Sequence, residues 1–131
     1  MESLDDLVVS GKEIDQGLVR KILAPYLRLD KDKCTIRPTE KWWELSNVMK
    51  VLLYLVARKA MKALDFPFEH EEATVSNIIN EAGVKKGSAG PVLRALLADR
   101  IIDQRSKGEG YLVPNHALER IKTMIEEYEK E

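Results

Sequence analysis

Apolar residues recur along this chain at helical, alternating and nearly continuous spacings, and each predicts a different element. Leu18 and Ile22, with Val19 and Leu23, follow Asp15 at helical spacing. Asp15 is a good N-cap, so a helix is predicted to about Ala24, ended by Pro25. Residues 26–29 and 34–37 flank the polar tetrapeptide 30–33 and predict a hairpin, although its turn lacks glycine. Thr39 follows Pro38 and heads a short predicted helix through Leu45 that carries Trp42 and Trp43. Ser46 or Asn47 then caps a long helix to about Leu64. In it Lys50, Tyr54, Arg58 and Lys62 form a narrow polar stripe, while Val48, Val51, Leu52, Leu55, Val56, Met61 and Leu64 cover most of the rest. So little polar surface predicts the central helix of its domain.

The second half has a different punctuation. Thr74 is placed to cap a helix whose inner face is Ile78, Ile79 and Ala82, with Gly83 as its C-terminal glycine and Val84 turned inward. Ser88 is expected to cap the next helix, with Pro91 in its first turn and Val92, Leu93, Leu96 and Leu97 facing the core. Ile101 and Ile102 enter a strand, residues 106–109 turn, and residues 110–113 return. Asn115 is expected to cap a closing helix bearing Leu118, Ile121, Met124, Ile125 and Tyr128.

The order helix, glycine turn, helix, strand, basic turn, strand over about residues 73–116 resembles the winged helix-turn-helix superfamily. The resemblance is at superfamily level, and the first 65 residues match no particular family. The expected fold is mainly α with small β: one domain over 1–131. Residues 14–72 would form an amino-terminal helix, a hairpin and the long helix, 73–116 the winged helix-turn-helix segment, and 117–131 the carboxy-terminal helix. The resemblance implies a scaffold used mostly to grip nucleic acid, and a closing helix that commonly serves as a homodimer contact. In such proteins glycine usually joins the second helix to the hairpin; here that position holds Arg100, which must avoid or tolerate a positive φ.

Composition narrows this reading. With 131 residues, 44% apolar and 33% charged, the chain suits one soluble domain of ordinary size. Its longest purely apolar run, 51–57, is far too short to span a membrane. The acidic start lacks signal-peptide organisation. A single cysteine, Cys34, leaves no internal disulfide and points to a reducing, cytoplasmic home; it reads as an apolar filler rather than a nucleophile. The net charge is only −1, which by itself argues against a general nucleic-acid binder. The charges are nevertheless segregated. Residues 20–62 carry eleven bases and four acids, and residues 85–110 carry six bases and three acids. Acids dominate 1–19, 63–84 and 111–131.

No catalytic cluster, metal motif, phosphate loop or cofactor fingerprint is present in the sequence, so an enzyme is not expected. Residues 69–72, although they include His70, read as an acidic linker rather than a cation site. The candidate nucleic-acid residues are Lys85, Lys86, Ser88, Arg94, Arg105 and Lys107, with Arg100 extending the patch. The two lysines precede a helix start, where anions are favoured, and the later bases run toward the hairpin tip. The exposed face of the second helix is expected to be Ser88, Ala89, Gly90, Pro91, Arg94, Ala95 and Ala98. That face supports phosphate contact better than base reading, which needs Arg, Lys, Asn or Gln at base edges.

The leading expectation is therefore a small DNA-binding protein, a transcription regulator or an accessory factor. The alternatives are a winged-helix protein-interaction module in a larger complex, or an RNA binder. The Lys50, Arg58 and Lys62 stripe is either a second phosphate track or, preferably, the solvated edge of a buried helix. One of Trp42 and Trp43 is expected in the core; the other is a core or interface residue, a partner contact or a base-stacking platform.

Overall fold

The structure, a computed structural model, describes residues 15–67, 70–105 and 110–130. It is mainly helical, with two small antiparallel hairpins. Helix α1 (Gln16–Leu23) starts where Asp15 accepts the Leu18 N–H at 3.0 Å, and buries Leu18, Val19, Ile22 and Leu23. Strands β1 (Leu27–Asp30) and β2 (Thr35–Pro38) pair with Leu27 opposite Pro38 and Asp30 opposite Thr35. Asp30 ties the turn by accepting the Lys33 N–H at 3.1 Å and pairing with Arg37 at 2.8 Å. These contacts hold its carboxyl below the usual range, the Lys33 hydrogen bond contributing most. Cys34 takes the left-handed conformation, φ 53, that a glycine would supply more cheaply.

A short 3₁₀ helix (Glu40–Glu44) follows, then α2 (Asn47–Ala63), begun by Ser46, whose hydroxyl accepts the Met49 N–H at 3.2 Å. Helix α2 is central. It buries Met49, every residue from 51 to 57, and Lys59, Ala60 and Met61, and packs against α1 and β2 as well as the later helices. Two details correct the stripe expected on it. Tyr54 is fully buried, and burial pushes its phenol pKa up. Lys59, at the phase of Leu52, Leu55 and Val56, is also buried, with Nζ 3.0 Å from Glu71 Oε2. Glu71 Oε2 makes no aligned hydrogen bond, so charge holds the pair. Arg58 donates to the carbonyls of Glu71, His70 and Glu72 at 2.8, 2.9 and 3.2 Å. Residues 58 and 59 thus fasten the acidic linker to the central helix.

Helix α3 (Val75–Ala82) begins with a reciprocal cap: Thr74 Oγ1 accepts the Asn77 N–H and Asn77 Oδ1 accepts the Thr74 N–H, both at 3.1 Å. It ends at Gly83, φ 73, and Val84 turns inward, as the sequence suggests. Helix α4 (Lys86–Ala98) starts earlier than expected. Lys85 is its N-cap residue and Ser88 its third residue, so Ser88 is not the cap. Pro91 lies in the second turn, where its missing N–H leaves the Gly87 carbonyl without that partner. Leu93 and Leu96 are buried, with Val92 and Leu97 packed beside them.

Helix α4 closes with Ile101 N–H to Leu96 O at 3.2 Å and Arg100 N–H to Leu97 O at 3.0 Å, a Schellman pattern with Arg100 at φ 60. The departure noted at Arg100 is therefore met by tolerating the positive φ. Ile101 and Ile102 are buried ahead of the strand rather than within it. Strand β3 (Asp103–Gln104) pairs with β4 (Tyr111–Leu112), and Ala73 exchanges both backbone hydrogen bonds with Tyr111 at 2.8 Å. The expected turn at 106–109 lies outside the described residues.

A 3₁₀ turn (Asn115–Ala117), preceded by Pro114, leads into α5 (Leu118–Lys130), so the α-helix begins three residues beyond Asn115. Leu118, Ile121 and Ile125 are buried, and Met124 and Tyr128 pack on the core. The buried face of α5 packs within the chain, chiefly against α1 and α2. Tyr128 donates to Glu44 O at 2.9 Å and Tyr26 to Glu129 Oε1; burial, then that carboxylate, raises the Tyr26 pKa. Among the described residues no helix is long and apolar enough to cross a membrane.

Candidate nucleic-acid interface

The turn from α3 into α4 places cations on one exposed side. Gly83 reverses the chain and Val84 anchors it, so Lys85 and Lys86 emerge at the start of α4. The first N–H groups of a helix have no carbonyl partner within it, which adds positive character there. At Gly87 a side chain would meet nothing within 4 Å, so this end is open. Arg94 lies back along the helix: its Nη1 is 3.5 Å from where a Gly90 Cβ would sit. Helical side chains lean that way because Cα–Cβ bonds tilt toward the N-terminus. Lys85, Lys86 and Arg94 are exposed, and none forms an ion pair among the described residues.

The expected contact face needs one correction. Ala89 is fully buried against the core, because it lies four and seven residues before Leu93 and Leu96 on the same buried face of the helix. Ser88 and Gly90 are half-buried, while Pro91, Arg94, Ala95 and Ala98 are exposed. Apart from Arg94 this face is small or apolar, so few groups on it can reach a base edge.

The hairpin is less positive than its sequence. Arg105 is exposed, but its Nε lies 3.9 Å from Glu72 Oε2. Glu72 also packs on Gly110, where an added Cβ would come within 2.9 Å of its Cγ. Lys107 lies outside the described residues. Arg100 and Arg105 line an open cleft of about 390 Å³ with Asp103 and Gln104. The acids of α5 are engaged elsewhere in part: Glu126 faces Lys122 at 3.5 Å and Glu129 accepts from Tyr26.

Beside the turn stands a group whose placement the sequence left open. Trp42 is fully buried and donates its indole N–H to Ala82 O at 3.0 Å. Trp43 is 61% exposed, rests against Gly83, and has Lys50 Nζ 5.4 Å from its ring centroid. No group of three or more metal-ligating side chains occurs among the described residues. No family model, curated protein or solved structure matches the chain.

Proposed function

We propose that this protein is a winged-helix DNA-binding factor that holds duplex DNA chiefly by its phosphates, acting as a transcription regulator or an accessory factor. Three features support the fold reading. The elements run helix, short strand, two helices and hairpin, with Ala73 bridging β4 as the short strand. The turn between α3 and α4 pivots on a left-handed glycine. Helix α4 packs its inner face on the central α2 and leaves the other face free.

The observation that carries the functional reading is the set of Lys85, Lys86 and Arg94, exposed together and without acidic partners among the described residues. Three cations, two at the start of α4 and Arg94 reaching back along it from the middle, can each displace a counterion from the DNA backbone. The small exposed residues Gly87 and Ala95 let a DNA backbone approach but supply little sequence discrimination. Specificity then rests on DNA shape or on a second binding unit.

Fluorescence anisotropy of duplex DNA and duplex RNA across several salt concentrations tests this. Three neutralised phosphates give a slope of log K against log salt of about −3, and five, including Arg105 and Lys107, about −4.5. The pairing of Arg105 with Glu72 puts the expected value at the shallower end. No duplex binding at low salt contradicts the proposal and favours the protein-interaction reading; tighter binding to RNA reassigns the ligand.

A further inference from the structure

We infer that Trp43 is a stacking platform for an unpaired base, so that the preferred ligand is a nucleic acid in which a single strand adjoins a duplex. This rests on the phosphate-gripping reading of α4.

The indole is held in place. Its neighbour Trp42 is locked into the core by the Ala82 carbonyl. A side chain at Gly83 would meet Trp43 Cζ3 at 3.1 Å, so the glycine that reverses the chain also makes room for the ring. An exposed aromatic with few rotamers and a fixed base loses little entropy on binding, which is what a recognition surface needs.

Its surroundings select the partner. Among the described residues the other exposed large apolar side chains are Leu64 and Val75. Leu64 follows the far end of α2 from Lys50, about 20 Å along the helix, and Val75 begins α3, about 12 Å from the Gly83 end. Trp43 is therefore not the centre of an apolar patch, as an anchor for a protein partner would be. Lys50 sits over its ring, and Lys85 follows Gly83 by two residues, within about 8 Å between Cα atoms. An aromatic face flanked by cations suits a base with its own phosphate. Glu40, three residues earlier on a 3₁₀ helix, shares the side of Trp43 and opposes that phosphate. Bases inside a duplex are stacked on both faces, so the indole can meet only an unpaired base or the outer face of a terminal pair, and an overhang offers it more than a blunt end does.

The test compares a blunt duplex, the same duplex with a short single-stranded overhang, and the overhang strand alone, using wild type, Trp43→Ala, Trp43→Phe and Glu40→Gln. The overhang duplex is expected to bind on the order of tenfold more tightly than the blunt one. It should also quench tryptophan emission, since Trp42 is shielded. Trp43→Ala removes preference and quenching, Trp43→Phe keeps part of the preference, and Glu40→Gln strengthens it. Equal affinity for both duplexes, or a preference that survives Trp43→Ala, overturns the inference and leaves the phosphate grip standing. Failure to bind any of the three overturns the grip and the inference together. Self-association lost in Trp43→Ala, without an effect on nucleic acid, overturns it by making the indole a protein contact.

Discussion

The two basic blocks of this chain do different work, and the larger one is the poorer candidate for binding. In residues 20–62, Arg28 donates to the carbonyls of Ala24 and Leu27, Arg37 closes the first hairpin, Arg58 holds the linker and Lys59 is buried against Glu71. The remaining bases there are scattered over α1, the hairpin turn, the 3₁₀ helix and the outer side of α2. In residues 85–110 fewer cations are present, yet Lys85, Lys86 and Arg94 emerge from one helix and its leading turn without internal partners among the described residues. Charge counted along a sequence does not become potential at a surface. What matters is whether each cation is already answered within the fold.

The largest expected effect is on the answered side. Lys59→Met leaves the Glu71 carboxylate without its cation and should lower stability by about 2–3 kcal/mol, below the usual range for buried pairs because Glu71 is partly solvated. Chemical denaturation measures this, and Lys59→Met with Glu71→Gln should recover part of the loss. Loss below about 0.5 kcal/mol would mean that Lys59 is not a structural cation. Arg58→Ala removes the three hydrogen bonds to the linker carbonyls and should cost about 2 kcal/mol, with faster hydrogen exchange at Ala73 and Tyr111.

The tyrosines sharpen the same contrast through pH. Tyr26 and Tyr54 have folded pKa values raised chiefly by burial. The unfolded chain therefore loses these protons first, at about pH 10. Their contribution is complete below that pH and declines as pH rises above it. Denaturation midpoints should fall across this window, and absorbance should show both phenols still protonated in the native protein. Tyr26→Phe removes part of the slope.

The smallest effect separates strain from function on the free side. Arg100→Gly relieves the left-handed conformation at the end of α4 and should raise stability by about 0.5–1 kcal/mol. If the guanidinium also meets a phosphate, the salt slope of DNA binding becomes shallower by about 1.

Much of this framework was legible because caps and glycines act locally. Asp15, Ser46 and Thr74 each accept the backbone N–H that their positions imply, and Gly83 turns the chain left-handed. The sequence points to a later start for α4 because Ser88 resembles a cap, while the inward turn of Val84 already lets the helix begin at Lys86. Tyr54 falls in the polar stripe by spacing, which cannot tell an exposed polar position from a buried phenol. Lys59 left a usable signal: a lysine at a core phase of an apolar helix, with an acidic linker a dozen residues on. The site was legible in its residue types, but only the fold shows that Glu72 opposes Arg105 and that Trp43 stands beside the turn.

The central claim of the proposed function is that the location of the cations, not their number, decides which of them would hold DNA. It is tested most directly by two variants of equal charge change, Lys85→Glu/Lys86→Glu and Lys31→Glu/Lys33→Glu, titrated against one duplex at low salt. The first is expected to lose about tenfold or more in affinity and the second less than about threefold. Equal losses, or a larger loss from the hairpin pair, would contradict the account.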